Sequence, residues 1–271
     1  MLWMLLFLVG IFAGTFGSLL GLGGGVILVP SLLFLSSFFP GAPEITPQQA
    51  VGTSLILIII TSLSSVVGYA KKKRIDYRSA FLFFMGSAPG AILGAWLTKF
   101  FDRDSFNIYF GLFLIFMFFL LIYRKNLKNR SIQWKIQRNF IDDEGVEYTY
   151  GYSPIPAFFI ALIVGTLSSL FGIGGGALLV PFMLVFFGFP PHIATATSMM
   201  NILLSSIVGS GMHIIYGHII WLMVLVTAPG SWIGGKLGVM LSSRLSGNRI
   251  EWILRGVLLL FALRMLWQGV M

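Results

Sequence analysis

The chain states one pattern twice. Residues Gly14 to Pro30 (GTFGSLLGLGGGVILVP) return as Gly165 to Pro181 (GTLSSLFGIGGGALLVP), offset by 151, and eleven of the seventeen positions are identical. A duplication of this kind restricts the fold to two similar halves. In each copy a glycine cluster, Gly21 with Gly23 to Gly25 and Gly172 with Gly174 to Gly176, lies inside a long apolar run. Backbone broken at membrane depth is tolerated only where protein or a cavity surrounds it, and matched breaks in two halves mark substrate sites of transporters.

Composition supports a membrane setting. Hydrophobic residues make up 57% of the chain and charged residues 10%, against about 25% charged in soluble domains, and the mean hydropathy is +0.91. Runs such as Ala80 to Phe100, Phe106 to Tyr123, Ile219 to Leu241 and Ile250 to Val270 reach the roughly 20 residues that cross a ~30 Å hydrocarbon layer. Trp3, Tyr69, Tyr77, Tyr123, Trp221 and Trp267 stand near span ends, where rings with a polar edge suit the headgroup region; packing in the bilayer explains them equally well. Met1 to Ala13 lacks a basic leader region and a small-residue cleavage site, so it is expected to stay as a membrane helix. There is no cysteine, which excludes disulfides, thiolate metal sites and cysteine nucleophiles. The net charge of +9 comes from basic residues clustered in short loops beside apolar spans. Anionic headgroups and topology signalling account for that placement, so the lipid bilayer is an expected partner and nucleic acid is not.

Leu2 to Phe39 is apolar throughout and measures about 57 Å as a helix, too long for one span and short for two. The glycine cluster is expected to divide it into helix 1a, ending near Leu20, and helix 1b, starting near Val26. The second copy divides likewise into Ile155 to about Phe171 and Ala177 to Phe187. Three further spans follow in each copy: Val51 to Ala70, Ala80 to Phe100 and Phe106 to Tyr123, then Thr195 to Tyr216, Ile219 to Leu241 and Ile250 to Val270. Basic loops tend to stay in the cytoplasm. In the first copy Lys71, Lys72, Lys73, Arg74 and Arg78 follow the Val51 span, whereas the next turn holds only Arg103 between Asp102 and Asp104. The second copy reverses this, with no Lys or Arg at Gly217-His218 but Arg244 and Arg249 one loop later. The expected fold is therefore an all-α polytopic helix bundle of two inverted repeats, each a Gly-broken first helix plus three spans. Residues 1–123 form the first repeat, 124–153 a cytoplasmic linker and 154–271 the second repeat. Eight kinked spans in parallel repeats are the alternative, which leaves the charge reversal unexplained. In the linker, Phe140 to Tyr150 alternates loosely around Gly145, as a small hairpin or a disordered tether would.

The nine acids, Glu44, Asp76, Asp102, Asp104, Asp142, Asp143, Glu144, Glu147 and Glu251, all avoid the middle of a span. A cation or proton carrier often keeps such a group there. What the spans offer instead is backbone N–H at the start of each helix 1b, near Gly23, Gly24 and Gly25 and near Gly174, Gly175 and Gly176, with the positive end of the helix dipole. Those places suit an anion, although a GGG turn also serves close packing. A second match aligns Pro47 to Ser54 with Pro191 to Ser198. Its hydroxyls, Thr53, Ser54, Thr197 and Ser198, either donate to an oxyanion or bond back to the i−4 carbonyl of their own helix. Asn201 adds an amide in the second copy, where Leu57 stands in the first. Ala88-Pro89-Gly90 with Gly94, against Ala228-Pro229-Gly230 with Gly234, reads as kinking and close helix packing. Lys236, Arg255 and Arg264 are expected to snorkel.

Two copies of Gly-x-Gly-Gly-Gly with Val-Pro following (Gly21 to Pro30, Gly172 to Pro181), the Ala-Thr-x-Thr-Ser start at Ala194 to Ser198, and His213 four residues before Gly217 resemble the sulfite exporter TauE/SafE family over nearly the whole chain. Tyr69 and Lys73 depart from it by replacing the second copy's His and Gly. The resemblance implies a permease or exporter in the cytoplasmic membrane for a small anion, such as sulfite, a sulfonate or a related organic oxyanion, with no cofactor and no enzymatic activity. Two other classes compete. An intramembrane hydrolase would use Ser210 as nucleophile and His213 as base, although triad partners usually come from separate elements. A cation or metal carrier would have to rely on His192, His213 and His218 alone, without cysteine or a buried acid.

Overall fold

The computed structural model describes residues 2–38, 45–123, 136–141, 145–242 and 247–270. Glu44, Asp142, Asp143, Glu144, Arg244 and the linker's first basic residues lie outside them. Ten helices and one strand pair are described: α1 (Leu2–Leu20), α2 (Gly25–Phe38), α3 (Pro47–Lys71), α4 (Tyr77–Leu97, extended by a 3₁₀ turn Thr98–Phe100), α5 (Arg103–Tyr123), β1 (Ile136–Ile141), β2 (Glu147–Tyr152), α6 (Pro154–Phe171), α7 (Gly176–Val185), α8 (Pro191–Ile215), α9 (Trp221–Leu241) and α10 (Gly247–Val270). Seven helices (α1, α3, α4, α5, α6, α8 and α9) are long and apolar enough to cross a membrane. The α10 helix, with Arg249, Glu251, Arg255 and Arg264 along it, is not among the seven; it packs antiparallel to α5 through Gly111 and Gly269. The protein is an all-α polytopic membrane fold.

Local chemistry sets the element ends. Thr46 caps α3 in a reciprocal pair with Gln49, accepting from its N–H (3.2 Å) while the Gln49 carbonyl oxygen accepts from Thr46 N–H (3.1 Å), and Pro47 occupies the first helical turn. Asp76 caps α4. At both glycine clusters the chain turns back on itself instead of continuing through a kink. A methyl group at Gly24 would meet the Ala13 carbonyl, and one at Gly17 would meet Gly24 N. In the second copy α6 starts directly after β2, and Phe187, just past α7, accepts from Gly151 N–H of β2 (3.2 Å). The α6–α7 pair thus leaves from and returns to the hairpin end of the bundle.

The copies interlock. On α4, methyl groups at Gly86, Gly90 and Gly94 would meet the carbonyls of Phe158, Leu162 and Thr166 on α6; on α9, those at Gly230, Gly234 and Gly238 would meet Phe7, Ile11 and Thr15 of α1. Numbers rise together in both cases, so each pair runs parallel, at backbone contact that only small residues allow. The matched Pro-Gly segments therefore have the packing role expected of them. The β1–β2 pair is an antiparallel hairpin in the register Ile136↔Tyr152 to Ile141↔Glu147.

Candidate functional site

The two glycine turns meet in the middle of the bundle. Gly23 and Gly174 each lie against both Ile58 and Ile202, with would-be methyl contacts of 3.1–3.3 Å, and these isoleucines sit near the midpoints of α3 and α8. A side chain on Gly25 would overlap the Gly172 carbonyl, and one on Gly176 the Gly21 carbonyl. Positive φ at Gly21 (72°), Gly23 (81°) and Gly24 (92°) is matched at Gly172 (67°), Gly174 (81°) and Gly175 (71°), a backbone that side-chain-bearing residues adopt only with strain. In this bend Ile27 and Leu28 N–H both reach Gly24 O, and Leu178 and Leu179 both reach Gly175 O. The N–H groups of Gly24, Gly25 and Val26, and of Gly174, Gly175 and Ala177, have no backbone acceptor among the described residues. Two helix N-termini thus point partial positive charge at one buried crossing.

The Ser and Thr residues are brought to this crossing but spent on its backbone. Ser54 Oγ donates to Val51 O (2.8 Å) and to Gly172 O of the other copy (2.8 Å). Ser198 Oγ does the same with Thr195 O (2.9 Å) and Gly21 O (3.0 Å). Thr53 Oγ1 accepts from Ile220 N–H (3.1 Å), ahead of α9, and Thr197 Oγ1 from Asp76 N–H (3.0 Å), ahead of α4. Four of these six bonds, those to Gly172 O and Gly21 O and from Ile220 N–H and Asp76 N–H, cross between copies. Asn201 turns its Oδ1 to Ser87 Oγ (3.0 Å) on α4. Leu57, which replaces Asn201 in the first copy, makes no such bond, and Thr227 Oγ1 of α9, at Ser87's matched position, is buried without a partner among the described residues. Thr61, Ser169, Ser206 and Ser231 likewise bury hydroxyls that lack a partner among the described residues.

Sequence reasoning passed over the polar cluster at the hairpin end. Asp76, 2% exposed, accepts from Ser79 Oγ and N–H, from Tyr150 Oη (2.9 Å) and from the Arg138 guanidinium (3.1 Å). Tyr152 Oη pairs with Ser79 Oγ (2.9 Å), and its ring packs with Phe83, Phe187 and Phe189. Burial by itself would raise the Asp76 carboxyl, but the bonds from Ser79, Tyr150 and Arg138 outweigh it and hold the group below its usual value. Tyr150 moves the other way, pushed up by burial and by the Asp76 charge. The hairpin is thus tied to the same Asp76 whose N–H bonds to Thr197.

The remaining candidates separate. Ser210 donates to Ile207 O (3.3 Å), while His213 bonds to Ser169 O and His218, so the structure does not bring them together as nucleophile and base. Among the described residues no group of three or more His, Cys, Asp or Glu is placed to hold a metal. Arg264 lays its guanidinium over the Phe34 ring at 3.6 Å, and Arg255 faces Trp252 at 5.4 Å.

Comparison with known proteins agrees with this architecture. The family described as "Sulfite exporter TauE/SafE" matches residues 6–265. The chain is 45% identical to the probable membrane transporter protein YunE of Bacillus subtilis, covering 100% of this chain and 99% of that protein. It is 29% identical to a probable membrane transporter protein of Methanocaldococcus jannaschii, over 97% and 94%, and 24% identical to one from Xylella fastidiosa, over 85% and 81%. No solved structure matches. A bundle with seven membrane-length helices and a family match over nearly its whole length lead to one conclusion: the chain belongs to the sulfite exporter TauE/SafE family and is a multi-pass membrane transporter of the cell membrane.

Proposed function

We propose that the protein carries a small anion, sulfite, a sulfonate or a related organic oxyanion, by alternating access between two inverted repeats, residues 1–123 and 154–271. In this reading the hairpin, Lys71 to Arg74 and residues 124–153 are cytoplasmic. The observation that carries it is the convergence of the two helix N-termini, where the amides of Gly24, Gly25, Val26, Gly174, Gly175 and Ala177 have no backbone acceptor among the described residues, and none of the described residues named at this crossing is acidic. An anion gains there from dipoles and N–H donors and meets no fixed positive charge that would trap it. Gly23 and Gly176 complete the two turns. Ser54 and Ser198 hold the turns together by their bonds to Gly172 and Gly21, and in this reading the arrangement with the turns together serves as the occluded one. When the turns part, these hydroxyls, with Thr53, Thr197 and the amide of Asn201, become available to the substrate.

Thermal unfolding of the purified protein against sulfite, methanesulfonate, sulfate, chloride and divalent cations tests this, because a ligand held by the native state raises stability with its concentration. Stabilisation by an oxyanion, weakened in Ser198→Ala, is the expected result. Loss of one neutral donor to a charged ligand costs about 1.5–3 kcal/mol, roughly ten- to a hundredfold in affinity. Stabilisation by cations alone overturns the reading.

A further inference from the structure

The third helix of each copy ends in the same backbone turn. Lys73 N–H reaches Ala70 O (3.0 Å) and Arg74 N–H reaches Tyr69 O (3.2 Å); at the matched positions Gly217 N–H reaches Ile214 O (3.0 Å) and His218 N–H reaches His213 O (2.9 Å). Tyr69 Oη donates to Ser18 O (3.0 Å), and His213 Nε2 lies 3.3 Å from Ser169 O, Ser169 being the repeat partner of Ser18. The side chains around this shared frame differ. Ser18 Oγ donates to Gly235 O and accepts from Ser65 Oγ. In the second copy Gly209 stands where Ser65 does, and the Ser169 hydroxyl, 1% exposed, has no partner among the described residues.

His213 is fully buried, and its Nδ1 lies 3.2 Å from Nδ1 of half-buried His218. The bonding fixes the protons. A carbonyl only accepts, so His213 Nε2 carries hydrogen towards Ser169 O, its Nδ1 is the acceptor, and His218 Nδ1–H is the donor. The Nε2 lone pair of His218 is then the one place in the pair where a further proton can go, and taking it up leaves every bond in place. The C-terminus of α8 contributes partial negative charge beside the rings. Around the pair, α3 presents Gly52 and the Thr53 hydroxyl, and α6 presents Ser169. The end of α4 brings Lys99, whose ammonium lies 3.8 Å from the centre of the Tyr216 ring.

We propose that His213 and His218 form a proton-binding site at the bundle end away from the hairpin, loaded when an anion arrives beside Lys99, so that the anion crosses together with a proton. The coupling rests on the anion-carrier reading; the proton site does not. Burial, and then the Lys99 charge, hold His218 below its ordinary value, so an anion beside Lys99 removes one of the two causes and favours proton uptake. The proton comes from water on that face to His218 Nε2, stays on the imidazole while alternating access turns the loaded site to the other face, and returns to water there as the anion leaves. This is the side chain type whose charge changes between pH 5 and 8.

Nitrogen-15 NMR of the imidazole rings tests the site in the full chain. There are three histidines, and His192→Gln removes the unrelated ring. His213 is expected to keep its Nε2–H form from pH 5 to 8 while His218 takes up one proton. The His218 midpoint is expected to rise with methanesulfonate and also in Lys99→Gln, which removes a charge that opposes protonation. Two rings that titrate independently, or a His218 without hydrogen on Nδ1, overturn the site. Proteoliposomes then test the coupling: a methanesulfonate gradient should acidify the lumen with wild type, and His218→Gln should move methanesulfonate without acidification. Methanesulfonate flux without proton movement in wild type overturns the coupling and leaves the carrier standing. Absence of flux for methanesulfonate, sulfite and sulfate alike overturns the carrier and the coupling with it, while the NMR titration still decides the proton site.

Discussion

Tyr69, Lys73, Arg74 and Asp76 in the first copy and His213, Gly217, His218 and Ile220 in the second occupy the same backbone with different chemistry. In both, a ring reaches the carbonyl of the matched serine in the repeat's first helix (Ser18 or Ser169), and a Thr hydroxyl of the other copy accepts from the N–H just ahead of the next helix. The first copy fills this frame with lasting charges and satisfied hydroxyls, and docks a hairpin on Asp76. The second fills it with imidazoles and leaves the Ser169 hydroxyl unpaired. Duplicated backbone bonds therefore hold the architecture, and the exchanged side chains are where the two ends acquire separate tasks.

Breaking the shared frame should cost most. Gly176→Val places a side chain on the Gly21 carbonyl and is expected to destabilise by more than about 4 kcal/mol, seen as loss of monodisperse protein on size exclusion. Gly211→Val, where a methyl group meets nothing within 4 Å, should be recovered normally. Equal recovery of the two would sink the crossing.

Removing what distinguishes the first copy comes next. Asp76→Asn leaves Arg138 without its carboxylate and should cost about 3 kcal/mol, whereas Ile220→Ala at the matched position should cost about 1 kcal/mol. Because Asp76 is held below its ordinary value, its contribution is complete above about pH 4 and is lost as the pH falls through the lowered value. Thermal unfolding should therefore separate wild type from Asp76→Asn at pH 7 and bring them together in strong acid; a gap that persists in acid would assign the effect to packing.

Exchanging the turn residue should do least. Lys73 has φ 48° where Gly217 has 71°, so Lys73→Gly is expected to stabilise by about 0.5–1 kcal/mol and Gly217→Lys to destabilise by about 1–2 kcal/mol. Opposite signs in thermal unfolding sharpen the comparison, and like signs break it.

Helix ends were legible because local residues make them: the break after Leu20 and the restart near Val26 follow from glycines that the strain-free helix does not need. Close packing at Gly90 and Gly230 was legible from small residues spaced by four. The Ser54 and Ser198 hydroxyls were legible as belonging near the glycine turns, but their bonds to Gly172 and Gly21 were not, because the partners are 118 and 177 residues away. Back-bonding to the i−4 carbonyl, the other expectation for these hydroxyls, is not what Ser54 and Ser198 do: they bond to the i−3 carbonyl, while Thr53 and Thr197 accept from N–H groups of the other copy. Asp76 read as an ordinary loop acid since Arg138 and Tyr150, 62 and 74 residues on, share no periodicity with it. The His213–His218 pair escaped notice for a local reason: residues five apart face each other only because Gly217 turns left-handed between them.

The parallel packing of α1 on α9 also governs how the protein is made. Ser18 bonds to Gly235, 217 residues later, so at 5–20 residues per second the ribosome needs about 10–40 s between synthesising the two. Through that interval the first helix lies in the bilayer with its glycine face, Gly10 and Gly14, uncovered. Lipid or another protein surface has to occupy that face of the nascent chain until its partner emerges.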